Sequence, residues 1–187
     1  MTGCRSIPPP AFPARGFTLP ELMAVLTIAA LFIGMAVPNF QRFLAIQRVN
    51  SASAAFLQAI NLTRSTAIMR GVRTNLAPRN GKDWRSGWRI FVKHDNNTDS
   101  DFQAGDILIT EHASLPDSLA ITTTVRAAII AYQSTGTNTA GSWLFEEAEQ
   151  QRLIAVNLIG RVRSCRPGVD PGCSLPPGLT RSARPAK

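Results

Sequence analysis

The hydrophobic residues begin with one long run, from Phe17 to Val37, whose only ionisable side chain is Glu21; Thr18 and Thr27 are its other polar residues. A run of this length predicts a membrane-spanning helix, which needs about 20 apolar residues. A carboxylate at the centre of a bilayer costs about 2.5–3.5 kcal/mol. Glu21 lies near one end of the run, where the cost is lower, but it still needs a partner of opposite charge.

A second apolar pattern follows Pro38, where we expect the helix to be interrupted and to resume at once. Apolar residues from Phe40 to Ile68 recur near helical spacing, with polar and basic residues between them. Beyond Ala52 this pattern predicts an apolar stripe that packs on a globular domain. Gly71 is the expected end of the helix.

After Gly71 the pattern changes to short segments rich in β-branched and aromatic residues, which are typical of strands. In the last segment, alternation places Ile154, Val156 and Leu158 on one face of a half-buried strand. One long helix followed by strands predicts an α+β fold with an antiparallel sheet packed on the helix. The predicted strands are Val72–Leu76, Trp88–Lys93, Ile107–Glu111, Leu119–Tyr132, Trp143–Glu147 and Leu153–Ile159.

The segment Gly16-Phe17-Thr18-Leu19-Pro20-Glu21, together with the apolar run, resembles the N-terminus of type IV pilins and pseudopilins. The resemblance implies that a prepilin peptidase cuts after Gly16 and methylates the new amino terminus at Phe17. It also implies that Glu21 meets the free amine of a neighbouring pilin subunit in a filament, which supplies the missing charge. The alternative is an ordinary signal anchor with a stray glutamate.

This resemblance divides the chain into four segments. Residues 1–16 are a cleaved prepilin leader, because they are polar and proline-rich and lack the apolar core of a secretory signal. Residues 17–71 form the long helix, with 17–37 in the membrane. Residues 72–175 form the β domain, and 176–187 a disordered basic tail. We expect one crossing of the inner membrane, a periplasmic C-terminal domain, and incorporation into a pilus or pseudopilus at the cell surface.

The mature chain keeps two cysteines, Cys165 and Cys173, since Cys4 lies in the leader. In a periplasmic domain two cysteines at this spacing predict a disulfide. A metal pair is the weaker alternative, because no histidine or further cysteine stands nearby.

The net charge is +8, and removal of Arg5 and Arg15 with the leader leaves +6. This charge is segregated: residues 70–89 and 160–187 are basic, whereas residues 95–149 are acidic. Separated blocks favour a basic face and an anionic partner, although scattered solvated side chains would give the same count.

The sequence gives little evidence for metal binding or for catalysis. The stretch from Asp95 to Asp101, with Asp106 after it, partly imitates a calcium loop but lacks the glycine at the sixth position and the final glutamate. We expect a solvated hairpin loop there. The two histidines, His94 and His112, stand in no recognisable catalytic motif. The sequence therefore predicts no catalytic residue, no metal, no cofactor and no enzymatic activity.

The segment Gly160-Arg161-Val162-Arg163 follows the last apolar strand. Alternation places Arg161 and Arg163 on one face of an extended segment, with Val162 opposite; we call these two arginines the basic edge. Guanidinium groups so placed suit contacts with phosphates that do not depend on sequence.

Three features resemble the FimT/GspH type of pseudopilin: the helix end Arg64–Gly71, the pair Trp84 and Trp88, and the Gly-Arg-x-Arg segment. Trp88 is expected in the core, whereas Trp84 would be able to stack on bases if its loop exposes it. The resemblance assigns Arg161 and Arg163 to double-stranded DNA. Arg166, Arg181, Arg184 and Lys187 extend the patch on charge alone.

The expected function is that of a minor pilin of a type IV pilus, which primes assembly and binds DNA without sequence preference for uptake. The alternative is an H-type minor pseudopilin of a type II secretion system that binds no DNA.

Overall fold

The structure is a computed structural model that describes residues 18–94, 101–125 and 129–179. Within these residues one long helix, α1 (Leu19–Arg70), precedes eight strands, and a short 3₁₀ helix (Trp84–Ser86) lies between the first two strands. The strands are β1 (Thr74–Pro78), β2 (Trp88–Val92), β3 (Ile107–His112), β4 (Ala120–Thr123), β5 (Ile130–Tyr132), β6 (Gly141–Glu147), β7 (Gln150–Val156) and β8 (Val162–Cys165).

The first compact unit of the chain ends at Gln41, and its described part is the first portion of α1. Its large apolar side chains are exposed, for example Leu22, Leu31 and Phe32. By length and composition α1 is able to cross a membrane. The helix continues through Pro38 without a break, so the expected interruption is wrong. A proline removes one backbone donor, and the hydrogen bonds of the flanking turns remain.

The second compact unit begins at Arg42 and contains two four-stranded antiparallel sheets. The strand orders are β3-β2-β1-β5 and β4-β6-β7-β8. The predicted α+β fold, with a helix packed on antiparallel strands, is confirmed, but the strands form two sheets instead of one. The helix ends at Arg70, as predicted, and Gly71 follows with a φ of 65°.

The predicted strand Leu119–Tyr132 is two strands, β4 and β5, which belong to different sheets. The Thr123 hydroxyl accepts a hydrogen bond from the Val125 N–H, and this local bond takes the place of sheet pairing. A run with uniform β propensity carries no signal for a change of pairing partner, which is why the sequence did not show the division.

The core lies between one face of α1 and both sheets. The helix contributes six residues to this core cluster: Val49, Ala52, Phe56, Ala59, Ile60 and Ala67. Phe56 is fully buried, and its ring centroid lies 5.1–5.6 Å from those of Trp84, Trp88, Trp143 and Phe145. Phe56 therefore contacts aromatic residues of both sheets and of the 3₁₀ helix.

Both tryptophans noted in the sequence are core residues. Trp88 is 2% exposed, which confirms its expected role, and its ring stacks on His112 at 4.2 Å. Trp84 is 3% exposed and packs against Phe56 and Trp143. Stacking of Trp84 on bases is therefore excluded, because the 3₁₀ helix turns its side chain inward although Lys82 beside it is exposed.

Polar contacts tie α1 to the β6–β7 hairpin. The Arg48 guanidinium lies 2.8 Å from the Glu147 carboxylate, and the Arg152 guanidinium donates to the Asn50 side-chain oxygen at 2.8 Å. Glu147 is 7% exposed, so its charge needs this partner. These contacts fix the position of the hairpin along the helix.

A buried ion pair holds the chain that leads into β3. The Lys93 and Asp106 side chains are each 3% exposed, and their charged atoms lie 3.4 Å apart. Burial acts to raise the pKa of Asp106, but hydrogen bonds from the N–H groups of Gln103 and His94 and the Lys93 ammonium outweigh it and hold the pKa below its usual value. Asp106 thus has a structural role. Residues 95–100 of the calcium-like stretch lie outside the described residues.

Two expectations at the C-terminal end are wrong. The last predicted strand ends at Val156, and Leu158 is 67% exposed because the chain turns at Asn157. Residues 176–179, expected in the tail, form a turn in which Leu179 is buried against Leu144 and the two cysteines. Residues 180–187 lie outside the described residues.

Replacing Phe56 with Ala should lower the free energy of unfolding by about 3–5 kcal/mol, because it opens a cavity between the helix and both sheets. The control is Phe43→Ala on the same helix, where the ring is 52% exposed and the expected loss is under about 1 kcal/mol. Urea unfolding of a fragment that begins at Arg42 measures both. Equal losses would contradict this account of the core.

Asp106→Asn should destabilise the same fragment by about 3–5 kcal/mol at pH 7, because it leaves the Lys93 ammonium buried without a counter-charge. A depressed carboxyl pKa contributes stability above the unfolded value of about 3.9, and the contribution is lost as pH falls through the folded pKa. The difference in urea midpoint between wild type and variant should therefore shrink below about pH 4. A difference that stays constant from pH 7 to pH 3 would show that the pair is not the cause.

Candidate nucleic-acid interface

The two arginines of the basic edge lie on β8, the outer strand of its sheet, and on the turn that precedes it. β8 pairs with β7 in antiparallel register, with Arg163 opposite Ala155 and Val162 opposite Val156. Arg161 and Arg163 are exposed, whereas Val162 is half-buried against the core. The predicted alternation is present, although the strand itself begins at Val162.

The β7–β8 turn, residues 157–161, is closed by hydrogen bonds of the chain with itself. The Asn157 side-chain oxygen accepts from the Arg161 N–H at 2.8 Å, and its backbone oxygen accepts from the Gly160 N–H at 2.9 Å. The Arg161 carbonyl in turn accepts from the Asn157 N–H at 3.1 Å. Asn157 therefore fixes the backbone of Arg161.

Helix α1 holds the same turn from the other side. The Arg64 guanidinium donates to the Gly160 carbonyl at 3.1 Å and to the Ile159 carbonyl at 3.3 Å. The Tyr132 hydroxyl donates to the Gly160 carbonyl at 3.4 Å. Burial raises the pKa of Tyr132 to about 12, with Arg64 acting in the opposite direction, so the hydroxyl keeps its proton at neutral pH.

Gly160 is required by its position. Its φ is 78°, a conformation that side chains disfavour. A Cβ atom there would lie 2.4 Å from the Gly136 carbonyl oxygen. The glycine of the Gly-Arg-x-Arg segment thus allows the turn to pack closely on residues 133–137. Its role is steric, whereas the two arginines supply the charge.

A disulfide joins Cys165, at the end of β8, to Cys173, as predicted. Both cysteines are buried with Leu144, Leu153 and Leu179. The enclosed loop supplies partners for Arg163, whose guanidinium donates to the Gly172 carbonyl at 3.3 Å and to the Pro171 carbonyl at 3.5 Å. These neutral acceptors orient the Arg163 guanidinium and leave its charge uncancelled.

The arginines predicted to bind DNA differ in their surroundings. Arg161 and Arg163 have no carboxylate partner among the described residues, and with Ala155, Val156, Asn157 and Val162 they line an open groove of about 530 Å³. Arg166 pairs with Asp170 at 3.2 Å. The Arg166 N–H, together with that guanidinium, holds the pKa of Asp170 below its usual value. Arg181 and Arg184 lie outside the described residues.

The first basic block, residues 70–89, is partly neutralised. Arg79 pairs with Glu111 on β3, and Arg85 lies 3.1 Å from Asp117. Both carboxylates come from the acidic block, so blocks that are separate along the sequence meet in the fold. The positive charge counted along residues 70–89 is therefore larger than the net charge that this surface presents.

Three residues that hold the basic edge were not predicted as part of it: Arg64, Tyr132 and Asn157. Asn157 and Gly160, three residues apart after a strand, are a turn signal that the sequence offers. Arg64 and Tyr132 lie far from the turn in sequence, and no local pattern pairs them with it.

The residues expected in processing and assembly lie in the first unit. Glu21 is exposed in the first turn of α1, and no basic side chain of the described residues pairs with it. Gly16 and Phe17 lie outside the described residues.

Comparison with known proteins gives two family matches. Residues 52–160 match the family model described as type II transport protein GspH, and residues 13–37 match the prokaryotic N-terminal methylation motif. Comparison with curated protein sequences gives no significant match.

Among solved structures, the type IV minor pilin FimU of Pseudomonas aeruginosa is similar at 16% identity, with a TM-score of 0.51 over 63% of this chain and 87% of that one. The minor pseudopilin EpsH of the type 2 secretion system of Vibrio cholerae gives 14% identity and a TM-score of 0.48 over 65% and 98%. The likeness to FimU shows a shared fold.

Gly160→Ala should destabilise the fragment from Arg42 by about 2–5 kcal/mol, because strained backbone and a steric clash add together. Gly168→Ala is the matched control: its φ is 74°, but a Cβ atom there meets nothing within 4 Å, so only the backbone cost of about 1–2 kcal/mol applies. Urea unfolding compares the two variants. Equal losses would show that the contact with Gly136 is unimportant.

Proposed function

This chain belongs to the family of the type II transport protein GspH, and from that membership we propose its specific role among minor pilins and pseudopilins. It is a minor subunit of a type IV pilus that primes filament assembly. It also binds double-stranded DNA, without sequence preference, through Arg161 and Arg163.

The DNA proposal rests on one difference among the arginines: some are paired with a carboxylate, whereas others are not. Arg161, in the turn before β8, and Arg163, on β8, are exposed and have no carboxylate partner in the described part of the chain. Arg79, Arg85 and Arg166, in contrast, each pair with a carboxylate. A guanidinium group that no carboxylate neutralises keeps its full charge and suits bidentate contacts with phosphate oxygens. Such contacts give affinity without reading bases.

The N-terminal motif supports the proposed route into a filament. A prepilin peptidase cuts after Gly16 and methylates Phe17. The apolar part of α1 then anchors the chain once in the inner membrane, with the domain in the periplasm. Because Glu21 is exposed without a cationic partner among the described residues, the amine of a neighbouring subunit supplies the charge that offsets its cost in lipid.

A second candidate is an H-type minor pseudopilin of a type II secretion system, which binds no DNA. The family match favours it, because the matching family model is described as a type II transport protein. The two candidates differ in the use of the basic edge, so DNA binding separates them.

If the basic edge contacts phosphates, the fragment from Arg42 should bind duplexes of unrelated sequence with similar affinity. Log K should fall by about 0.9 per log unit of salt for each phosphate neutralised. Changing both Arg161 and Arg163 to Gln should weaken binding at least about tenfold, which is about 1.4 kcal/mol, and reduce the salt slope by about 2. Fluorescence anisotropy at several salt concentrations measures both quantities.

The control for this experiment changes Arg79 and Arg85 to Gln, which removes the same charge from arginines that are already ion-paired. This control should bind nearly as the wild type does. If both double variants lose affinity alike, overall charge is responsible. If the wild-type fragment does not bind DNA at low salt, the secretion role is favoured.

Glu21→Ala should be inserted and cleaved normally, yet should enter filaments poorly, because the neighbouring amine loses its counter-charge. Gly16→Leu is the comparison, since a bulky residue before the cut should leave an uncut precursor. Mass spectrometry of membranes gives the processed size, and blotting of sheared filaments gives incorporation. Normal incorporation of Glu21→Ala would contradict the pairing, and a mature-sized Gly16→Leu chain would contradict the cleavage site.

A further inference from the structure

The apex of the β7–β8 turn carries two exposed apolar residues, Leu158 and Ile159, each 67% exposed. We call this pair the apolar tip. It directly precedes Gly160 and Arg161, so it adjoins the basic edge. Neither side chain belongs to a hydrophobic cluster of the described residues.

The apolar tip is held rigidly. The Leu158 carbonyl accepts from the Asn138 N–H at 3.2 Å, and Arg64 donates to the next two carbonyls. Each peptide oxygen from residue 158 to 160 therefore has a donor in the rest of the domain. Two branched side chains on a fixed backbone lose little conformational freedom when they are inserted into a partner.

The partner of such a tip has to offer apolar surface close to negative charge. Duplex DNA meets this requirement, since apolar side chains insert between base steps from the minor groove while basic residues contact the flanking phosphates. An anionic membrane surface offers similar chemistry, but its affinity grows with the apolar area that is buried. Two side chains on a tight turn provide little area for a membrane, whereas one or two are enough to wedge a base step.

We propose that Leu158 and Ile159 act as a wedge that inserts into the minor groove of the duplex held by Arg161 and Arg163 and partly unstacks one base step. This inference rests on the DNA binding proposed above and adds a contact that does not depend on charge. It follows that the protein prefers duplexes whose bases unstack easily, although it reads no sequence.

The test uses the full mature chain in a neutral detergent and two short duplexes of equal length, one fully paired and one with a central mismatch. The wild type should bind the mismatched duplex more tightly, because part of the unstacking is already done. Changing Leu158 and Ile159 to Ser should weaken binding of the paired duplex about tenfold and remove the preference for the mismatch. The salt slope should not change, because the number of phosphate contacts is the same.

The matched control changes Ile107 and Leu108 to Ser. These residues form another adjacent apolar pair, 50% and 45% exposed, on β3 of the other sheet. The control should bind both duplexes as the wild type does. Fluorescence of 2-aminopurine placed at the central step supplies an independent readout: it should rise when the wild type or the control binds, and rise much less with the Leu158 and Ile159 variant.

The wedge is refuted if the Leu158 and Ile159 variant keeps wild-type affinity, mismatch preference and 2-aminopurine signal while the variant of Arg161 and Arg163 loses affinity. If the arginine variant also binds normally, the proposed function itself fails. If the apolar variant loses binding to phosphatidylserine vesicles and none to DNA, the tip is a membrane contact and the wedge is again refuted.

Discussion

Helix α1 packs against both sheets at once, and Phe56 is where these contacts meet. Its ring touches Trp88 of one sheet, Trp143 and Phe145 of the other, and Trp84 of the 3₁₀ helix. Because this packing fixes the helix relative to both sheets, it also fixes Arg64, about 12 Å further along the axis. Arg64 in turn holds the β7–β8 turn. The geometry of the basic edge therefore depends on the core as well as on its own strand.

Charge at this surface is determined by pairing in the fold more than by composition. Arg79 and Arg85 meet carboxylates from the acidic block, and Arg166 meets Asp170. Arg163 instead contacts the carbonyls of the disulfide-bonded loop, and the Arg161 backbone is fixed by Asn157. Among the described residues neither Arg161 nor Arg163 meets a carboxylate, so the fold leaves both charges uncancelled.

The sequence predicted the α+β fold, the end of α1 at Gly71, the disulfide and the alternation of Arg161 and Arg163, since each depends on a local pattern. It did not predict the division of residues 119–132 between two sheets or the burial of Trp84, which depend on distant partners. Leu158 was placed on the wrong face, because alternation continues past Asn157 in the sequence whereas the strand does not. No local pattern pairs Arg64 with this turn either, because its partner Gly160 lies 96 residues away in the sequence.

We propose that Arg161, positioned by the β7–β8 turn, and Arg163, positioned by β8 and the disulfide loop, form the DNA contact of this pilin-like domain. Backbone amide NMR of the fragment from Arg42, titrated with a short duplex, tests it most directly. The account predicts that shift changes concentrate at the amides of residues 157–166. Changes centred on residues 79–89, or spread evenly over the surface, would contradict it.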